Sequence, residues 1–448
     1  MGLLVIFASA PLLLATFLKP KWGSYLIWFI LFAYPHSWWY KNGFLPMNIG
    51  FDDLFCILLF LIVLIRRNIL GGVPIRFGYA FWLLTSFLLV SAVASTSGYS
   101  YASRAEWPLY IKEVLKFGVY WCLFYAVLHC IDDEHDLRMQ FTMFSLAAVV
   151  GGILVILSYF FPYAMEPFSN PLNDPEYAGR AYGAFLNANA AACVLACLLI
   201  FVVTTVTLQE RFIAKTIIYP FITVLLLGMM MTRSRAGLLA LAGSFLLMSI
   251  FSKNRKLAWL VLISAVVIAL SASGIRELYK ERIIEAYSPQ TGQFGGGVVA
   301  RFIIWESYFK TATPQIYIFG QGRLQGQTRN ATSPHSAYVS FITVYGIGGI
   351  IWAIAGLIIF LRKVLVLRRF PNPALSTAAL GCFWALIAWG IYSTSAGELG
   401  SPYTTMLLFY WVVLLDRISA LARQQQEWPA YSEAIEHQTM ALQVEGAY

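Results

Sequence analysis

The sequence predicts an all-α, polytopic membrane protein of about twelve to thirteen transmembrane helices, with one large extracytoplasmic loop that carries amphipathic helices. Three observations predict it. The 448 residues are 59% hydrophobic and only 12% charged, whereas soluble domains spend about 25% of their residues on charge to cover a water-facing surface. Apolar runs recur along nearly the whole chain, which excludes a single anchor on a soluble domain. Basic residues gather in short loops separated by even numbers of those runs, as the positive-inside bias of cytoplasmic loops requires.

A bilayer core about 30 Å thick needs about 20 mostly apolar residues per helix. The first run, 2–18, lacks the basic leading segment of a cleavable signal and is expected to persist as a helix. The runs that follow are 22–39, 51–65, 77–95, 111–130, 140–163, 184–207, 213–231, 234–251, 257–273, 336–361, 375–395 and 403–416. The runs 22–39 and 51–65 are the weakest, so the count is twelve or thirteen. Four regions result: an N-terminal part of the bundle, 1–273; the large loop, 274–335; C-terminal transmembrane helices, 336–416; and a polar tail, 417–448, expected to be a solvated or surface-lying helix. No internal repeat of the kind that builds many transporters is visible. The six cysteines (Cys56, Cys122, Cys130, Cys193, Cys197 and Cys382) lie in or beside apolar runs, where cysteine serves as a small core hydrophobe. No Cys, His or acid spacing suits a metal, and no motif suits a nucleic acid.

Orientation follows from the basic loops. Arg66, Arg67 and Arg76 flank one, Lys253, Arg255 and Lys256 sit in a second, and Arg362, Lys363, Arg368 and Arg369 in a third. With all three cytoplasmic, the segments 96–110 and 164–183, the turn Thr232–Arg235 and the long loop from Gly274 to Pro334 all reach the opposite face. Arg233 and Arg235 share the face of the long loop because 234–251 and 257–273 form a hairpin.

That face holds the candidate chemistry. In MTRSRAGLLAL, Arg233 and Arg235 sit between two apolar helices with no acid beside them. Arginine near bilayer depth is costly, by roughly 2.5–3.5 kcal/mol at the centre on insertion scales, and marks function more often than chance. Snorkelling to lipid headgroups is the plain alternative. A pair on the outer face, against the charge bias, favours an anion ligand, for which the planar guanidinium fork suits phosphate oxygens. The long loop carries two amphipathic stretches, 275–287 and 298–312, expected to lie on the membrane surface or close over a cavity. Gly292 and Gly295–Gly297 lie between them. Its seven basic residues (Arg276, Lys280, Arg282, Arg301, Lys310, Arg323 and Arg329) against four acids (Glu277, Glu281, Glu285 and Glu306) again point to an anionic ligand. His335 follows Ser333 and Pro334 and opens an apolar helix. A neutral imidazole there is able to take a proton from a sugar hydroxyl, although a histidine at a helix start is more often a cap or packing residue.

The order of these features resembles a known family. Arg235 followed by Leu239 reads R-x3-L, and His335-Ser336, nine residues, then Gly346-Ile347-Gly348-Gly349 reads H-[NSQ]-x9-G-x-x-G. With Arg301, Trp305 and Gly320-Gln321-Gly322 between them, the stretch from about 180 to 360 resembles the O-antigen ligase and O-antigen polymerase superfamily. The resemblance implies a GT-C-like bundle in the bacterial inner membrane. It implies a metal-independent, cofactor-free, inverting glycosyltransferase whose active site is periplasmic. The implied donor is a glycan on undecaprenyl pyrophosphate, and the acceptor is a hydroxyl of lipid A-core or of a growing polysaccharide. By the same resemblance His335 is the general base, Arg235 and Arg301 bind pyrophosphate, and Arg233, Arg180 and Arg323 support them. Ser336 falls within the motif but departs from the asparagine that many relatives carry. Ligase and polymerase share donor and leaving group, so the residues do not separate them. A transporter or flippase of lipid-linked or anionic substrates would explain the outer arginines without chemistry. The absent repeats and the one-sided loop speak against it.

Overall fold

The computed structural model describes residues 14–33, 50–99, 107–163, 165, 180–185, 187–205, 212–251, 256, 259, 261–263, 298–322, 334–394, 396 and 402–445. The described residues form helices and connecting turns, with no strand among them. Six helices are long and apolar enough to cross a membrane: Tyr79–Gly98, Glu134–Phe160, Ala188–Thr205, Gly346–Leu367, Pro373–Ser393 and Tyr403–Gln426. The protein is an all-α, multi-pass membrane protein. Most of the expected spans 2–18 and 257–273, all of the amphipathic stretch 275–287, and Arg323 lie outside the described residues.

In chain order the helices are α1 (Pro20–Ala33), α2 (Phe51–Ile62, continued by a π-helical turn Val63–Ile69), α3 (Tyr79–Tyr99), α4 (Trp107–Cys130), α5 (Glu134–Phe160), α6 (Ala188–Thr205), α7 (Phe212–Met231), α8 (Arg235–Phe251), α9 (Val298–Thr311), α10 (Pro314–Phe319), α11 (Ala337–Thr343), α12 (Gly346–Leu367), α13 (Pro373–Ser393) and α14 (Pro402–Glu445). Two differ from the sequence reading. The expected single span 336–361 is broken into α11 and α12 at Val344–Tyr345. Also, α14 runs without interruption through the boundary expected at 416, and Asp416, Arg417 and Ser419 are buried within it. The polarity of that stretch has a local cause: the Arg417 Nε donates to the carbonyl of Ile131 at 3.0 Å, so the helix stays packed where its composition suggests water.

The α14 stretch from Tyr403 to Ala422 and the whole of α6 form the middle of the bundle. Lipid and protein interior are equally apolar, so helices associate in a bilayer through close packing rather than through expulsion of water. The sequence of α6, ANAAACVLACLL, supplies small residues for that purpose, and α6 packs on α13, α7 and α8. Around α14 the fit is aromatic. Tyr410 lies 4.5 Å from Trp28 and 4.2 Å from Phe144, and Trp411 stacks on Phe201 at 5.3 Å. Such pairs each contribute about 0.5–1.5 kcal/mol beyond area burial. The outer helix α12 instead exposes Ile347, Ile351, Ile354 and Ile358, a helical stripe that suits lipid.

Side-chain bonds sort the helix ends into two poles. At one, Asp132 in the turn between α4 and α5 receives Lys21, Arg67 and Arg76, and Asn372 before α13 donates to Glu134 at 3.2 Å. This basic pole also carries Arg368 and Arg369 at the end of α12. At the other, Tyr403 at the start of α14 donates to the Leu31 carbonyl at the end of α1, at 3.1 Å. There too the amide of Ala181 donates to Met231 at 3.3 Å. Arg233, Arg235 and His335 all stand at this second pole, opposite the loops 66–76 and 362–369.

Candidate functional site

The first part of the site is the turn between α7 and α8. Thr232 closes α7 by donating its hydroxyl to Met229 O at 2.7 Å. Ser234 caps α8 by accepting from the amide of Gly237 at 3.2 Å, a role for which a short hydroxyl side chain is suited. Between them the backbone of Arg233 takes φ 53°. The segment before α6 braces this turn. Arg180 donates from Nε to Thr232 O at 3.2 Å and from Nη2 to Asn189 Oδ1 at 2.7 Å. Asn189 Oδ1 also accepts from the Ser234 hydroxyl at 2.8 Å. Arg180, Arg233 and Arg235 are therefore assembled on one bonded unit, with Arg235 the first residue of α8 and half-buried.

The Arg233 guanidinium sits over the ring of Tyr159, 5.4 Å from its centroid, and its Nη2 is 3.4 Å from the Tyr159 hydroxyl. Its buried Nε has no hydrogen-bond partner. Leaving a buried donor unmade costs about 1–3 kcal/mol.

The second part is the entry to α11. Trp305, one turn beyond Arg301 on α9, donates its Nε1 to the carbonyl of Pro334 at 2.7 Å. Residues four apart on a helix share a face, so Arg301 belongs to the face of α9 from which Trp305 bonds the segment that carries His335. His335 itself is exposed and adopts φ 49°. Ser336 follows as the cap of α11: its side chain accepts from Val339 N at 3.5 Å, and its carbonyl accepts from the Ser340 hydroxyl at 2.8 Å. The second motif residue thus has a helix-capping role that any short polar side chain can fill.

Among the described residues, the non-glycine positions with positive φ are Arg233 and His335. The left-handed conformation costs such residues of order 1–3 kcal/mol each and persists only where the surroundings over-determine it. It concentrates at ligand clamps and active sites. The two strained positions coincide with two of the residues singled out from the sequence.

The motif glycines have a different job. The turn Gly320–Gln321–Gly322 lies against the α11–α12 junction, with Gln321 N donating to Thr343 O at 3.1 Å and Gly322 N to Val344 O at 3.2 Å. Gly346 has φ 63°, and a Cβ there would meet Gly320 N at 2.5 Å. The two backbones touch because neither residue has a side chain, and this contact is what breaks 336–361 in two.

The helix α13 lies between the elements that carry the two parts of the site. The Tyr338 hydroxyl, on α11 just after His335, donates to Gly390 O at 3.0 Å. The neighbouring Ile391 lies against Gly243 of α8, two turns from Arg235. Among the described residues one group of His and acids is close enough to share a cation, Asp133, His135 and Asp136. It lies at the basic pole, where Asp136 already accepts from Lys21 and Tyr25.

Tyr159 and Asn189 are not among the residues singled out from the sequence; Trp305 is, as part of the motif run, but without its bond to Pro334. Asn189 had a signal, since NANA before an apolar run reads as a helix start. Tyr159 had none, because its partner is 74 residues away.

Residues 219–354 match the family model described as O-Antigen ligase. The match takes in the arginine turn, α9, the glycine turn, His335 and the start of α12, and it leaves out Arg180 and Tyr159. No curated protein matches the chain.

Proposed function

We propose, from the match of residues 219–354 to the family model described as O-Antigen ligase, that this chain is a membrane glycosyltransferase of the O-antigen ligase/polymerase superfamily in the bacterial inner membrane. It moves a glycan from undecaprenyl pyrophosphate to an acceptor sugar hydroxyl at the periplasmic face. What supports this reading is that the bonded unit holding Arg180, Arg233 and Arg235 and the segment carrying the strained His335, bonded to α9 through Trp305, both stand at the pole opposite the basic loops.

In the proposed step His335 accepts the acceptor hydroxyl proton as the oxygen attacks the anomeric carbon. The bond from that carbon to the pyrophosphate oxygen breaks, and the electron pair leaves with undecaprenyl pyrophosphate. Attack opposite the leaving group inverts the anomeric centre. Arg235 and Arg301 receive the charge that develops on the leaving oxygens, where pre-placed cationic donors are worth most. Arg233, with its spare Nε, and Arg180, bracing the turn, support them, and Arg323 is assigned to the same anion. A pyrophosphate leaves as a stable anion, so the step calls on cations rather than on a paired carboxylic acid or a metal. The acceptor is lipid A-core or the end of a growing polysaccharide.

His335→Ala is expected to lower transfer from purified lipid-linked donor by about 10²-fold or more, the usual scale for removing a general base. Donor binding should persist. Near-normal turnover in this variant would remove His335 from the mechanism.

A further inference from the structure

We propose that the groove between α8, α12 and α13 binds an anionic phospholipid from the leaflet at the basic pole, with its phosphate on Arg368 and Arg369. Two adjoining cavities of about 890 and about 540 Å³ share Leu247, Leu361, Phe383 and Ile387 in their walls, so they form one channel along the helices. Its mouth at the basic pole is lined by Arg368, Arg369, Ser376 and Thr377.

Deeper in, the walls are mostly hydrocarbon. The polar groups there are the Tyr338 hydroxyl and the indole N–H groups of Trp352 and Trp389. Each already donates to a carbonyl, of Gly390, Leu83 and Thr404 respectively, at 2.8–3.0 Å. A cationic rim over a dry apolar channel is complementary to a lipid with a charged head and acyl chains. It is not complementary to a soluble anion, which has nothing to place below the rim.

Several cations at this pole already have partners. Lys21, Arg67 and Arg76 converge on Asp132, and Arg417 is spent on the Ile131 carbonyl. Arg368 and Arg369 sit exposed on the turn that ends α12, and their side chains make no hydrogen bond or ion pair among the described residues. Topological sorting explains why arginines are on this side, but it does not require that two of them stand over a lipid-sized channel. Basic residues beside channels between transmembrane helices on the cytoplasmic side are a recurrent means of holding anionic head groups.

The test is native mass spectrometry of the full-length protein in detergent, titrated with phosphatidylglycerol, with phosphatidylcholine of the same acyl chains, and with soluble glycerol phosphate. Phosphatidylglycerol should be retained preferentially, and glycerol phosphate should not displace it. The double variant Arg368→Ala, Arg369→Ala should weaken phosphatidylglycerol retention by about thirtyfold, on the scale of two interfacial arginines. Arg362→Ala, an exposed arginine of α12 outside the groove walls, should leave it unchanged. Leu380→Trp fills the channel without touching charge and should also reduce retention. Equal retention of the two lipids, or wild-type retention in the double alanine variant, overturns the proposal. Displacement by glycerol phosphate does so as well, reducing the site to a simple anion patch. If the double alanine variant fails to fold, undiminished phosphatidylglycerol binding by Leu380→Trp is the refuting result.

Discussion

Replacing Trp305 by Phe isolates the bond that ties α9 to the segment carrying His335. The ring is nearly preserved, including its edge contact with Phe302 at 5.1 Å, and only the 2.7 Å donation to Pro334 O is lost. A neutral hydrogen bond of this kind contributes about 1 kcal/mol net, equivalent to about a fivefold change in an equilibrium. If the bond serves to hold Arg301 and His335 in register, the fraction of molecules in the competent arrangement falls by about that factor. Single-turnover transfer from a lipid-linked donor should slow about fivefold, while donor binding, set by arginines the substitution leaves in place, should stay near wild type. Trp305→Ala removes ring and bond together and should slow transfer further. A wild-type single-turnover rate in Trp305→Phe, with unchanged thermal stability, would refute the claim that α9 positions the histidine.

Three further outcomes are expected. Tyr159→Phe should leave donor use nearly intact because the ring face under Arg233 remains, whereas Tyr159→Leu should raise the donor KM about fivefold, within the range of a partly desolvated cation–π contact. Equal behaviour of the two would remove the ring from the site. Gly346→Ala places a Cβ against Gly320 N and Ile318 O on a residue at φ 63°. Strain and overpacking together should cost about 3 kcal/mol, read as a clear fall in thermal midpoint, and an unchanged midpoint would contradict the tight joint. Asp132 is partly buried, which alone would raise its carboxyl, but hydrogen bonds from Lys21, Arg76 and Arg67 outweigh burial and hold it below the usual carboxylate range. A depressed folded value stabilises the protein above the unfolded carboxylate value, near pH 4, and the stabilisation is lost as pH falls toward the folded value. Asp132→Asn should therefore be destabilised by about 2 kcal/mol at neutral pH, and its stability should decline less steeply in acid than that of the unmodified protein. Parallel stability–pH curves would refute the hub.

Much of the architecture was legible because a bilayer leaves few options. Apolar length gave α3, α6, α7, α8 and α13 to within four residues, and the parity of basic loops puts the arginine turn and His335 on one face. The break at Val344–Tyr345 was not legible, because apolar composition continues across it and the cause is a backbone contact with Gly320. The continuation of α14 past Asp416 was hidden for the converse reason: polar residues read as solvent-facing until Ile131 supplies a partner. In the site, His335 and the arginines were visible as residue types out of place. The bonds that hold them, from Ser234 to Asn189 and from Trp305 to Pro334, were not, since each joins residues far apart in the chain.

The left-handed backbone at Arg233 and His335 sets two kinds of selection against each other. Glycine or asparagine would sit more comfortably at both positions, so directed evolution for heat tolerance alone should drift toward them. A library screened only for expression and melting would then enrich, at these two codons, the members with the least reason to carry out the reaction. Pairing that screen with a readout of surface glycan would expose the divergence at once.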